Sequence, residues 1–196
     1  MTILPRPWSM ALLALIAVFA ACSSPNPTLY TVASVDGPAQ SGGPKVVVLQ
    51  QIGLARYLER SQIVRSSENY RLDVLSNDWW GEPLGAMMSR VLVDELSQRL
   101  PHSTVINESG AVSSPADASI ELNLRRLDVD ATGNLVLQAQ TAVSFKGHQP
   151  PVLQSFRFSV SPQGPSVAAE VAAISVAVGQ LADGLASVLL AGPAAR

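Results

Sequence analysis

The chain has 196 residues, 47% of them hydrophobic and only 14% charged, with a formal net charge of −2. That length fits one domain plus a short leader, and the near-neutral balance, with no basic run, excludes a nucleic-acid partner. The single cysteine, Cys22, excludes both an intrachain disulfide and a thiolate-based zinc site.

Arg6 and the amino terminus precede an unbroken apolar run of 12 residues over 10–21. A membrane-spanning helix needs ~20 residues, so this run reads as the hydrophobic region of a signal peptide. It ends in Phe19-Ala20-Ala21-Cys22, which resembles the processing site of bacterial lipoproteins, with Phe19 where leucine is usual. Small residues before the cut admit the peptidase, and the thiol carries the lipid. Residues 1–21 are therefore expected to be a lipoprotein signal peptide. Cys22 is the expected lipidation site, bearing diacylglycerol and an acyl chain. Ser23 rather than an aspartate follows it, which by resemblance to Gram-negative sorting favours the outer membrane. The alternative is ordinary secretory cleavage after Ala21, leaving a free amino-terminal cysteine. Residues 22–44, rich in Pro, Gly and Ser, are expected to form a flexible tether with one short strand at 29–32.

The folded domain is expected over 45–192. Residues 45–51 are β-branched and apolar, enough for a buried strand, and 62–65 with 70–74 read as two short strands around a Ser-Ser-Glu-Asn turn. A helix follows, with Pro83 suited to its first turn. Leu84, Met88, Leu92, Leu96 and Leu100 recur every fourth residue, and Pro101 stops it. Ile120, Leu122 and Leu124 then alternate with Glu121, Asn123 and Arg125. The alternation slips at Arg125-Arg126 and resumes at Leu127 and Val129, which predicts a β-bulge. Thr132-Gly133-Asn134 makes a turn into a long strand whose apolar face runs from Leu135 to Phe145. Phe156, Phe158 and Val160 repeat the pattern, completing an antiparallel meander with one wet face.

The last predicted helix covers 166–190, capped by Ser166, with Glu170 complementing its dipole. Val167, Val171, Ile174, Val178, Leu181, Leu185 and Leu189 form its apolar stripe. Its hydropathy would suit a membrane span, but a charge at bilayer depth costs at least ~2.5 kcal/mol, and Glu170 and Asp183 argue against it. Its back, with Val176 and Leu190, is apolar enough to be either sandwiched in the domain or facing a neighbouring subunit, and the first is the preferred reading. These elements imply an α+β two-layer sandwich: a mostly antiparallel sheet of about six strands with two long helices packed on one face.

No catalytic pattern emerges. His102 and His148 lie in expected loops with no acidic or nucleophilic motif attached, and no G-x-S-x-G, P-loop, G-x-G-x-x-G or H-E-x-x-H is present. Asp128 and Asp130 share a strand face but lack a third metal ligand nearby. No catalytic residue, no metal and no cofactor beyond the lipid on Cys22 are therefore expected. Two stretches do suggest a binding surface. Residues 53–60 (GLARYLER) are amphipathic and carry Tyr57 and Leu58; residues 77–84 (NDWWGEPL) carry Trp79, Trp80, Glu82 and Pro83. Two adjacent indoles cannot easily bury on one side, so one of them is a candidate partner anchor.

These stretches carry a family resemblance. Leu29-Tyr30-Thr31-Val32, the strand at Val46–Leu49, Tyr57-Leu58-Glu59-Arg60, Ile63-Val64-Arg65, Trp80-Gly81-Glu82-Pro83-Leu84 and Leu100-Pro101 stand in order. Together they resemble the ABC-type transport auxiliary lipoproteins of the paraquat-inducible protein C type. The likeness spans 29–190, with its specific motifs mostly between 45 and 101. Two departures concern loop shape: Gly53-Leu54-Ala55-Arg56 lacks the proline usual before Tyr-Leu, and Trp79 is an extra tryptophan. The resemblance implies a non-enzymatic protein, lipid-anchored at the periplasmic face of the outer membrane. Its implied partner is the periplasmic MCE-domain protein of an ABC lipid transport system, with homo-oligomerisation a further expectation and support of membrane integrity the outcome. The competing readings are a periplasmic lipid-binding carrier, with a cavity between helices and sheet, and a hydrolase with an unrecognised site.

Overall fold

The computed structural model describes residues 26–148 and 150–193; the expected signal peptide and Cys22 lie outside the described residues. The elements in chain order are β1 Thr28–Tyr30, β2 Val46–Leu49, β3 Gly53–Leu54, β4 Gln62–Ser66, β5 Asp73–Trp80, α1 Leu84–Arg99, β6 Thr104–Asn107, β7 Ala118–Val129, β8 Leu135–Phe145, β9 Val152–Val160 and α2 Val167–Ala191. A single 3₁₀ turn at Arg56–Leu58 joins β3 to β4.

The nine strands form one sheet organised around β7. One edge of β7 carries the antiparallel meander β7–β8–β9, with the expected bulge as a register shift between Leu124 and Arg126. The other edge is shared. β2 pairs with its start, β3 with its middle and β4 with its end, all parallel to it. β6 extends the sheet beyond β2, β5 beyond β4, and β1 beyond β5.

The sheet is therefore mixed and nine-stranded, not a mostly antiparallel sheet of about six strands. The reason is connectivity. Parallel neighbours need a crossover, and the segment containing α1 returns the chain so that β6 lies parallel to β2. Short pieces such as β3 and β6 show no alternation of their own and exist only because β7 and β2 offer free edges. β5 likewise runs on through Asn77–Trp80, past the expected strand end at residue 74, because β1 supplies a partner for Asp78, Trp79 and Trp80.

The helices match their predicted stripes. Met87, Met88, Leu92 and Leu96 of α1 and Val178, Leu181 and Leu185 of α2 are completely buried, packed with Leu49, Ile120, Leu124 and Leu137 from the sheet. Pro83 stands at the N-cap of α1, just outside the first turn, and accepts the Met87 N–H through its carbonyl. Ser166 caps α2 by accepting the Ala169 N–H at 3.2 Å. α2 is long and apolar enough to cross a membrane by composition, yet it packs against α1, β7, β8 and β9. Its apolar stripe is buried in the core, but its back is not covered within the domain as the preferred reading expected: Val176 is 41% exposed. Glu170 at its start pairs with Arg65 of β4 at 2.9 Å.

The stretch expected as a free tether is largely docked. From Val32 to Gln40 the chain lies as a strap between α1 and α2. The Val32 N–H donates to Met87 Sδ at 3.1 Å, Ala33 N–H to Ser175 Oγ at 3.1 Å, Val35 N–H to Glu95 Oε1 at 2.8 Å, and Gln40 N–H to the Arg99 carbonyl at 2.7 Å. Buried beneath it, Arg99 donates Nη1 to the Val35 and Glu95 carbonyls, Nη2 to the Gly179 carbonyl and Nε to Asp183. Two glycines make the close approach possible: a Cβ on Gly37 would sit 2.3 Å from Arg99 Cζ, and one on Gly179 would sit 3.1 Å from Val35 Cβ. Composition pointed to a tether because Pro, Gly and Ser also suit an extended strap whose backbone is bonded by side chains of other elements.

Candidate groove at the start of helix α1

The two stretches singled out from sequence form opposite walls of one groove. It is open, with a volume of about 930 Å³. One wall is Ile52, Leu54, Glu59 and Arg60; the other is Trp80, Glu82, Pro83, Leu84 and Gly85, with Ser89 and Ser109 at the margins. Backbone pairing sets this geometry. β3 holds Leu54 against Leu124 of β7, while the Trp80 N–H donates to the Ser61 carbonyl at 2.7 Å and Gly81 N–H to the Tyr30 carbonyl at 2.8 Å. At Gly85, a Cβ would lie 3.6 Å from Leu54 Cδ1, so the start of α1 sits close against β3.

The sequence-predicted residues take four different places. Trp80, Glu82 and Pro83 line the groove: Trp80 is buried, Pro83 is exposed, and Glu82 holds Arg90 at 2.6 Å. Leu58 is part of the core and presents no surface to a partner. Tyr57 turns away from the groove, and its hydroxyl donates to Asp128 Oδ2 at 2.7 Å. Trp79 points from the opposite face of β5 to Trp80, partly buried, with its indole N–H donating to the Ser76 carbonyl at 3.1 Å. Leu58 and Tyr57 were attractive surface candidates because three charges accompany them. The 3₁₀ turn points those charges outward and the apolar groups in.

The contact of Tyr57 reveals a polar cluster that spacing alone did not show. The buried Asp128 carboxylate accepts from Tyr57 and from Ser67 Oγ, each at 2.7 Å, and from Arg126 Nε at 2.8 Å; Arg126 also pairs with Glu68. Burial first, then the bond to Asp128, raises the Tyr57 phenol above its ordinary pKa. Asp128 thus ties the 53–60 arm and the β4–β5 loop to the end of β7. Asp130 instead closes its own turn, accepting from the backbone N–H of Thr132 at 2.9 Å and of Asn134 at 3.1 Å. Asp128→Asn is expected to cost about 1–3 kcal/mol, because one amide nitrogen must replace an acceptor for three donors. Urea unfolding of the variant would measure this, and an unchanged midpoint would show that the cluster does not hold the arm.

Chemically the groove offers mixed apolar and charged walls. Among the described residues there is no group of three or more His, Cys, Asp or Glu arranged to hold a metal ion. His102 is exposed, and His148 is exposed with its ring Nδ1 near the Lys146 carbonyl. Between helices and sheet, where a carrier would need room for lipid, Met87, Met88, Leu92, Leu96 and Leu181 fill the space.

A family model described as ABC-type transport auxiliary lipoprotein component matches residues 28–186. No curated protein matches the sequence. The crystal structure of a Xanthomonas campestris protein of the DUF330 family superposes with a TM-score of 0.69 at 17% identity, covering 84% of this chain and 95% of that one. A crystal structure of an uncharacterised protein superposes with a TM-score of 0.70 at 15% identity, covering 83% and 98%. At these identities the likeness is one of fold.

Proposed function

The chain belongs to the ABC-type transport auxiliary lipoprotein component family, and from that membership we propose that it is a periplasmic docking lipoprotein anchored in the outer membrane through Cys22. Its partner is the periplasmic MCE-domain protein of an ABC lipid transport system, and the outcome is lipid movement between membranes that maintains their integrity. The observation that carries this reading is the convergence of residues from the two sequence stretches, 53–60 and 77–84, on one open groove, with no recognisable catalytic constellation among the described residues. The lipid confines the domain to one membrane, which raises its effective concentration near a partner crossing the periplasm.

The test is affinity purification of the tagged, lipidated protein in mild detergent, with co-purifying proteins identified by mass spectrometry. Recovery of an MCE-domain protein is expected. Arg60→Glu and Glu82→Lys, both on the groove wall, should lower that recovery about ten-fold, equivalent to roughly 1.4 kcal/mol of binding. Recovery unchanged in both variants rejects the groove as the contact. Recovery of phospholipid alone favours the lipid-carrier reading instead. Cys22→Ser should abolish function in cells while leaving the domain folded; full complementation by that soluble variant would reject the tethering mechanism.

A further inference from the structure

We infer that Leu29 and Trp79 form a bilayer-contacting edge, with the headgroup layer of the anchoring membrane as their partner. The inference rests on the reading of Cys22 as lipidated and adds which edge of the domain the membrane meets. Leu29 is 63% exposed although it lies within a strand. It pairs in register with Trp79 across the parallel β1–β5 ladder, so the two side chains lie side by side on the same face. Their neighbours Tyr30 and Trp80 take the opposite face, where Trp80 is buried. The other cross-strand neighbour of Trp79 is Gln62, which is uncharged. Asp78, the nearest carboxylate along the strand, is engaged by the Tyr30 hydroxyl at 3.0 Å. The indole N–H of Trp79 is satisfied by Ser76, leaving an amphipathic ring at the surface, the side-chain type that collects where hydrocarbon meets water.

The chain outside the structure supplies the second argument. Cys22 and Thr28 are separated by six residue steps, which span at most about 20 Å when fully extended. Beyond Tyr30 the strap is bonded to α1 and α2, so no further slack exists to let the domain stand off from the membrane. Of all the strands, β1 is therefore held closest to the anchor, and its exposed apolar residue and the tryptophan beside it sit within reach of the headgroups.

The experiment uses the mature lipidated chain, whose tryptophans are Trp79 and Trp80, in vesicles of phosphatidylethanolamine and phosphatidylglycerol. A fraction of the lipid carries a nitroxide near the headgroup end of an acyl chain. The expected result is tryptophan emission that is blue-shifted relative to the soluble Cys22→Ser protein and quenched by the nitroxide. Quenching should be lost in Trp79→Phe and weakened in Leu29→Asp, both surface changes that leave the circular dichroism spectrum intact. If the protein floats with the vesicles but Trp79 is not quenched, this inference falls while the anchor stands. Quenching that persists in Trp79→Phe also overturns it. Vesicles that float without the protein would overturn the anchor reading and this inference together.

Discussion

Replacing Arg99 with methionine is expected to destabilise the domain by about 3–5 kcal/mol, the range seen when one member of a buried charged network is removed. That is a large part of the ~5–15 kcal/mol by which domains are stable. Arg99 is 1% exposed, yet its guanidinium serves four acceptors on three elements: the carbonyls of Val35, Glu95 and Gly179 and the Asp183 carboxylate. Methionine fills the volume but supplies no donor, so the Val35, Glu95 and Gly179 carbonyls lose the guanidinium that ties the strap to both helices, and Glu95 loses the cation that opposes the rise of its pKa. Asp183→Asn should cost far less, within the 0–1 kcal/mol of exposed pairs, because that carboxyl is half in solvent. Urea unfolding of both variants checks the contrast. An Arg99→Met loss below about 1 kcal/mol would mean that the strap is held by its backbone bonds alone.

The second large effect is on the pH dependence. Glu95 is fully buried, and its Oε1 accepts the Val35 N–H at 2.8 Å while its Oε2 has no partner. Burial raises its pKa from 4.5 to about 7, against the opposing pull of the Val35 bond and of Arg99. A carboxyl whose folded pKa is raised binds its proton more tightly in the folded state. Its contribution is therefore fully present below about pH 4.5 and is lost as pH rises through about 7. The expected loss across that window is roughly 2–3 kcal/mol. Glu95→Gln keeps an acceptor for Val35 and removes this titration, so the variant should decline from pH 5 to 8 by about that much less than the parent, keeping only the smaller slope from other raised carboxyls such as Glu170. A parent profile that rises over the same range would show that Glu95 stays ionised under the strap.

Both residues were legible in part. Glu95 and Arg99 fall on the stripe of α1 set by Met88, Leu92 and Leu96, where an apolar residue is expected. A charged pair on a buried stripe signals a partner from elsewhere in the chain. It does not say which, and here the partner is a segment read as tether. The same holds for the groove. Trp80, Glu82 and Pro83 were readable as a motif, and Glu59 and Arg60 as another, but their meeting depends on β3 and β5 being placed by β7 and β4. Leu58 shows the converse: a charged neighbourhood suggested a surface where a 3₁₀ turn makes a core contact.

The two helices, the β7–β9 meander, its bulge at Arg125-Arg126 and the family motifs are all readable from residue order alone. Each is written in periodicity, caps and turns that act over a few residues. That the sheet is mixed, that β3 and β6 are strands, that the strap is docked and that Asp128 gathers Tyr57, Ser67 and Arg126 emerges only from long-range packing. Those features depend on contacts between residues far apart in the chain, with Tyr57 and Asp128 separated by 71 positions. A short strand or a buried carboxylate is stable only where such a distant partner supplies its hydrogen bonds.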